Sequence, residues 1–189
     1  ASATLRAPGS EISLDGTLNV TPGGVSGGDV SLYVKSGDAL PWLRTSGVDL
    51  GASLDAAPLD LTGTIAYEQG NWTIRDLGGQ IVGSTIEAAL RKQRGQPFEG
   101  TVRLDRLSMP WLASLVYGRA LDDGDPKRLW PSEAFRPSSL AGLDFSVALT
   151  AAQLDLGAPL MTDFAARMSA DAGNLTFDDA SVAAAGGRL

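Results

Sequence analysis

Apolar side chains recur at every second residue along most of this chain, and this period limits the fold more than any other feature of the sequence. A period of two is that of a β-strand with one apolar face, whereas an amphipathic helix repeats its apolar residues every three or four positions. Residues 30–34 (VSLYV), 59–67 (LDLTGTIAY) and 143–149 (LDFSVAL) show the alternation clearly. The sequence therefore predicts about ten to thirteen short strands and a mainly β fold.

The connections between these strands are short and rich in turn-forming residues. The chain holds 23 glycines, and turns such as EQGN at 68–71 and DAGN at 171–174 are typical of hairpins. Neighbouring strands are therefore expected to run antiparallel, within one β-rich domain that spans residues 1–189. Such strands give a sheet one apolar and one polar face, so the expected architecture is a curved sheet or a sandwich with an apolar inner face.

One segment departs from the strand pattern. Residues 108–118 (SMPWLASLVYG) begin with a serine suited to cap a helix, have Pro110 in the first turn and end at Gly118. Serine, proline and glycine favour these positions at helix ends. The sequence therefore predicts one short helix near 108–118. Its PWL string also occurs earlier, at 41–43, where it follows another predicted strand.

Charge and composition exclude several classes of function. Lysine and arginine number 15 against 22 acids, a net charge of −7, whereas nucleic-acid binding needs a positive surface. There is no histidine and no cysteine, which excludes His-based triads, thiolate nucleophiles and zinc sites built on these residues. Asp122, Asp123, Asp125 and Glu133 suggest a calcium loop, but their spacing is not that of an EF-hand, and a solvated acidic loop is favoured. We expect no catalytic residue, no metal, no cofactor and no enzymatic activity.

Two segments share a pattern at an offset of 103 residues: 70–86 (GNWTIRDLGGQIVGSTI) and 173–189 (GNLTFDDASVAAAGGRL). Five residues are identical in this alignment, where Gly70, Asn71, Thr73, Asp76 and Gly83 match Gly173, Asn174, Thr176, Asp179 and Gly186. The apolar positions also keep their parity, which indicates one structural unit used twice. We expect a Gly-Asn turn to open a strand, the aspartate to close it, and the last glycine to lie at a bend or bulge.

The string at 70–90, GNWTIRDLGGQIVGSTIEAAL, and its echo LTFDDASVAAAGGRL resemble the repeated strand unit of the AsmA-like family of bacterial envelope proteins. The central strings DRLSMPWLASL and LWPSEAFRP are similar to the C-terminal region of that family, and the resemblance runs from about Gly16 onward. It implies a role in outer-membrane biogenesis and a periplasmic location, with the full-length protein anchored in the inner membrane. We expect this chain to be a fragment of such a protein.

The AsmA-like family is related to bridge-like lipid-transfer proteins, whose curved sheets carry an apolar groove for acyl chains. The resemblance therefore implies a phospholipid or another lipid as the partner. Parity places a set of apolar residues from both repeat copies on the inner face, and we take them as candidate lipid-binding residues: Ile65, Tyr67, Trp72, Ile74, Leu175 and Phe177. The alternative is a structural or protein-interaction domain, in which the same side chains fill a closed core and bind no ligand.

Overall fold

The structure of the chain, a computed structural model, describes residues 2–45, 56–110, 112, 144–157, 160–171, 174–184 and 187–188. The fold of this part is mainly β, as the alternation predicts. The strands and the helix in it are β1 (Ser2–Ala7), β2 (Ser10–Thr21), β3 (Gly24–Ser36), α1 (Leu40–Thr45), β4 (Leu59–Glu68), β5 (Asn71–Ile81), β6 (Ser84–Lys92), β7 (Phe98–Ser108), β8 (Phe145–Asp155), β9 (Leu160–Asp171), β10 (Asn174–Ala184) and β11 (Gly187–Arg188).

These strands form one curved sheet in which the strand order follows the chain order from β1 to β11. Of the two expected architectures, the described residues form the curved sheet and not the sandwich. Neighbouring strands are antiparallel from β1 to β7 and again from β8 to β11. Ten strand spacings of about 4.8 Å make the sheet about 48 Å wide.

The expectation that all neighbours are antiparallel is wrong for one pair. β7 and β8 run parallel, with Phe98 opposite Phe145 and Ser108 opposite Asp155. A parallel pair needs a connection of a dozen or more residues, because the chain must return to the end of the sheet at which the first strand began. The connection over residues 109–144 is long enough for this return.

Two hairpins use the tightest turn that fits the twist of a sheet. Gln69 and Gly70 join β4 to β5 with φ of 50° and 91°, and Val82 and Gly83 join β5 to β6 with φ of 51° and 76°. Positive φ at both central residues is the type I′ geometry. Gly83 therefore lies in a hairpin turn and not at a bend inside a strand, and its counterpart Gly186 lies outside the described residues.

The aspartate of each repeat copy lies within a strand and does not close it. Asp76 in β5 has a φ of 51° and Asp179 in β10 has a φ of 52°. The pairing register shifts at both places, between Ile74 and Leu77 in β5 and between Asp178 and Ser181 in β10. Aspartate tolerates this left-handed conformation better than most residues, so each copy carries a β-bulge at the same position of its pattern.

The helical parts of the described chain both follow the end of a strand and coincide with a PWL string. In the predicted helix at 108–118, Ser108 is the last residue of β7, Met109, Pro110 and Leu112 are helical, and 113–118 lie outside the described residues. Helix α1 was not predicted from the sequence. Its first backbone N–H, at Leu40, donates a hydrogen bond of 2.9 Å to Asp38 Oδ1, which also accepts one of 3.1 Å from the N–H of Ala57.

The hydrophobic core lies at one end of the sheet, which we call the helix end because α1 and Leu112 pack there. The other end holds the turns at 69–70 and 93–97, and we call it the far end. The buried core side chains come from α1, the residues just before α1 and β4, the 109–112 segment and the strands β7 to β9: Ala39, Leu40, Ala57, Leu107, Leu112, Leu149, Ala151, Leu154, Phe164 and Ala166. The sheet is therefore anchored at the helix end, and mainly over its last strands.

Candidate functional site

One face of the sheet is apolar along four rows of residues that run across β1 to β10 and are directly opposed, except where the register shifts between Gly63 and Leu77. Directly opposed residues of neighbouring strands lie on the same face. The first row, nearest the helix end, is Leu5, Ile12, Val34, Leu61, Gly79, Ile86, Leu104, Ala151 and Phe164, and the second is Ala3, Leu14, Leu32, Gly63, Leu77, Ala88, Val102, Leu149 and Ala166. The third row is Gly16, Val30, Ile65, Ile74, Leu90, Gly100, Val147, Met168 and Phe177. The fourth row, nearest the far end, is Leu18, Gly28, Tyr67, Trp72, Lys92, Phe98, Phe145, Ala170 and Leu175. We call these four rows the apolar face.

All six candidate residues lie on the apolar face, in its two rows nearest the far end. Ile65 is opposite Ile74, and Tyr67 is opposite Trp72, with their ring centroids 4.7 Å apart. The two candidates of the second copy, Leu175 and Phe177, lie on β10. Five strand spacings, about 24 Å, separate β5 from β10, so the structure places the six on one face as two separate groups.

The two groups differ in how much protein covers them. Leu175 and Phe177 pack against the core, and the Phe177 ring contacts Phe164 with centroids 6.4 Å apart. Ile65, Tyr67 and Ile74 are half-buried and lie outside the core cluster. Trp72 keeps 42% of its surface exposed. Side chains of the first group are therefore available to a ligand, whereas those of the second already have protein neighbours.

The exposure of the apolar face falls from its first strands to its last. Val147 and Leu149 on β8 are 3% and 2% exposed, while Leu5 on β1 is 56% exposed. Leu14 and Leu18 on β2 are also exposed. Single exposed apolar residues are common in soluble proteins, but a contiguous apolar surface of this kind marks a binding site for a protein, a membrane or a ligand. The part of the apolar face on β2 to β6 is the open part, and it contains Ile65, Tyr67, Trp72 and Ile74.

The opposite face of the sheet is polar and carries cross-strand ion pairs. The Lys35 ammonium lies 2.8 Å from the Asp60 carboxylate, and this hydrogen bond, with the attraction of the two charges, raises the pKa of Lys35. The other pairs on this face are Arg6 with Glu11, Arg75 with Asp29, and Arg91 with Glu99. Water screens exposed pairs of this kind, so they add little to the stability of the fold, and their main effect here is to keep this face hydrated.

Asp105, on the same polar face, holds the start of β6 against the end of β7. It accepts hydrogen bonds from the Ser84 hydroxyl at 2.5 Å and from the Thr85 backbone N–H at 2.8 Å. The hydrogen bond from Ser84 lowers the pKa of Asp105, because it favours the ionised carboxylate. The arrangement fixes the open end of the β6–β7 hairpin.

Lys92 lies on the apolar face and was not among the candidate residues predicted from the sequence. Lys92 is opposite Trp72 on one side and Phe98 on the other, in the row nearest the far end. Its amine lies 4.9 Å from the centroid of the Phe98 ring. The alternation of the strand could have predicted this position, because Lys92 follows Leu90 by two residues and therefore lies on the same face of β6.

A depression of about 550 Å³ lies at the far end beside this row. It is lined by Val25, Ser26, Tyr67, Gln69, Gly70 and Arg94. The turn that carries Arg94 is held to the neighbouring hairpin, because the Arg94 backbone N–H donates a 3.1 Å hydrogen bond to Asn71 Oδ1. The far end therefore combines exposed aromatic side chains with two basic residues, Lys92 and Arg94.

The described residues contain no group of three or more acidic side chains placed to hold a metal ion. The acidic cluster at 122–133 lies outside the described residues. No helix in the described ranges has the length and apolar character needed to cross a membrane.

Comparisons of the chain with protein-family models, with curated proteins and with solved structures gave no match. The resemblance to the AsmA-like family therefore depends on the residues of the sequence alone. A function must therefore be inferred from the geometry of the apolar face.

Proposed function

We propose that this chain is a non-enzymatic envelope-biogenesis module of AsmA type, which holds or guides lipid acyl chains along the open part of its apolar face. The observation that carries the proposal is the exposure of that face. Over β2 to β6 the apolar side chains of these rows are half-buried or exposed, except for the buried Ala88, and all of them lie outside the core cluster. An acyl chain covering them gains about 0.8 kcal/mol for each buried methylene.

The dimensions of the sheet suit this ligand. A strand of 11 residues such as β5 is about 36 Å long. The acyl layer of one bilayer leaflet is about 15 Å thick, half of the hydrocarbon core. An acyl chain that lies along a strand therefore fits between the far end and the helix end. Dispersion contacts along an apolar surface need no fixed geometry, so the acyl chain is free to move from strand to strand across the sheet.

The proposal includes a location and excludes catalysis. In it the full-length protein is anchored in the inner membrane and faces the periplasm, as the resemblance to AsmA-like proteins implies. Lipid transport by such a surface requires no bond to be made or broken. The polar face, with its ion pairs, remains in water while the apolar face carries the ligand.

Native mass spectrometry of the purified chain mixed with a phospholipid tests the proposal. We expect the wild-type chain to bind lipid, and Ile74→Asp to lower the bound fraction by about ten-fold or more, because a carboxylate in the acyl path must be desolvated. Thr73→Asp is the matched control, since Thr73 is the next residue of β5 and lies on the polar face opposite Ala66. Thr73→Asp is expected to bind like the wild type.

A second candidate function has its own observation. The buried core around β7 to β9, against which Leu175 and Phe177 pack, is what a scaffold or protein-interaction domain needs. If the wild type binds no lipid, or if both aspartate variants bind as well as the wild type, the scaffold is the correct function. Phe177→Asp does not separate the two, because it damages the core in either case.

A further inference from the structure

A single charged side chain lies on the apolar face. The four rows hold 36 residues of β1 to β10, and Lys92 is the one among them that is charged at neutral pH. It is in the row nearest the far end and is half-buried. A charge on an apolar surface costs free energy unless it reaches water or a partner of opposite charge. Its place at the rim allows both.

Lys92 has aromatic neighbours and no acidic partner among the described residues. Trp72 and Phe98 are opposite it on the two neighbouring strands, and its amine lies over the Phe98 ring. The preceding residue, Arg91, lies on the polar face and is paired with Glu99 at 3.2 Å. The strand therefore holds one neutralised cation on the polar face and one cation on the apolar face whose charge no described carboxylate balances.

We infer that Lys92 binds the phosphate of an anionic phospholipid whose acyl chains lie on the apolar face. This inference rests on the proposed function. Core residues beside α1, among them Leu40 and Ala57, pack at the helix end, so a lipid lying along the strands keeps its headgroup at the far end, where the exposed Trp72 and Val25 meet water. There the ammonium donates charge-assisted hydrogen bonds to phosphate oxygens, while the Phe98 ring holds its stem in place.

Arg94 adds a second cation at the same end. It lines the depression beside Tyr67, and its turn is fixed by the hydrogen bond to Asn71. Two cations at the headgroup position distinguish lipids by net charge, because phosphatidylglycerol carries one negative charge and phosphatidylcholine carries none. The expected preference for the anionic lipid is on the order of ten-fold.

Competition between these two lipids tests the assignment. The full chain is mixed with equal amounts of phosphatidylglycerol and phosphatidylcholine that have the same acyl chains, and the bound lipids are counted by native mass spectrometry. We expect the wild type and Lys92→Arg to prefer phosphatidylglycerol, and Lys92→Gln, which retains Arg94, to show a several-fold smaller preference. Arg91→Gln removes the same charge from the polar face and is expected to keep the preference.

The outcomes separate the two proposals. Lipid binding by the wild type without a preference, or a preference that is undiminished in Lys92→Gln, overturns the role of Lys92 and leaves the proposed function standing. Failure of the wild type to bind either lipid overturns the proposed function itself. Displacement of phosphatidylglycerol by millimolar glycerol phosphate shows that Lys92 binds a soluble phosphate and overturns the lipid assignment.

Discussion

Three glycines on the apolar face occupy a backbone conformation that other residues rarely adopt. Gly16, Gly79 and Gly100 have φ of 156°, 139° and 152°. A Cβ at each would overlap a carbonyl oxygen of the neighbouring strand, that of Asp29, Asp60 and Ala89 in turn. The same device at three places lets adjacent strands approach closely and gives the sheet its bend, as glycine kinks do in curved sheets.

Gly79→Ala is expected to lower the free energy of unfolding by more than about 1 kcal/mol, because Ala cannot take this φ without strain and its Cβ meets the Asp60 carbonyl. Gly78→Ala is the matched control. A Cβ at Gly78 has its nearest neighbour, the Ile86 carbonyl oxygen, at 3.9 Å, so its effect is expected to stay below about 1 kcal/mol. Urea unfolding followed by circular dichroism measures both, and equal midpoints for the two variants would contradict the argument.

At the residue scale, the sequence predicts faces well and burial poorly. Alternation placed Tyr67 and Trp72 on the same face as Phe177, because parity is fixed by the pleat of a strand. It did not show that Phe177 packs against Phe164, since burial depends on which distant strands are neighbours. The bulges at Asp76 and Asp179 could not be predicted from the sequence either, because aspartate is also typical of the turns at strand ends.

Among the strands and helices of this fold, some follow from the local sequence and others depend on contacts between distant residues. The strands were predictable from alternation, whereas the parallel pairing of β7 with β8 follows from a connection whose path the local pattern does not specify. Helix α1 has six residues, too few to be stable by helix propensity alone. Its stability comes from the buried Leu40 and from the two hydrogen bonds that Asp38 accepts.

Asp38→Ala is therefore expected to lower the free energy of unfolding by about 1–2 kcal/mol, through the loss of acceptors for the N–H groups of Leu40 and Ala57. Asp38→Asn keeps an acceptor oxygen at the same position and is expected to retain most of the stability. Thermal or urea unfolding of the two variants gives the comparison. If Asn and Ala destabilise the chain equally, charge and not the hydrogen-bond acceptor is what fixes α1.

On the scale of the whole molecule, stability and ligand access lie in different parts of one sheet. The core packs at the helix end and over β7 to β10, and the open part of the apolar face lies on β2 to β6. The described residues supply no second layer over the open part, and an exposed apolar sheet face must curl, find a partner or hold an amphiphile. The side chains that form the core are therefore not the ones that form the open part.

This division predicts how lipid changes hydrogen exchange along the chain. Without lipid, the amides of β8 and β9 should exchange slowest and those of β1 and β2 fastest, because local opening is rarest where burial is greatest. Phospholipid should slow exchange most in β3 to β5 and change β8 and β9 little, since only the open part gains a new apolar contact. Hydrogen–deuterium exchange mass spectrometry of the full chain with and without lipid measures both patterns, with Ile74→Asp as the variant that should show no change. Slowing confined to β8 and β9, or equal in the wild type and Ile74→Asp, would place the ligand elsewhere than on the open part of the face.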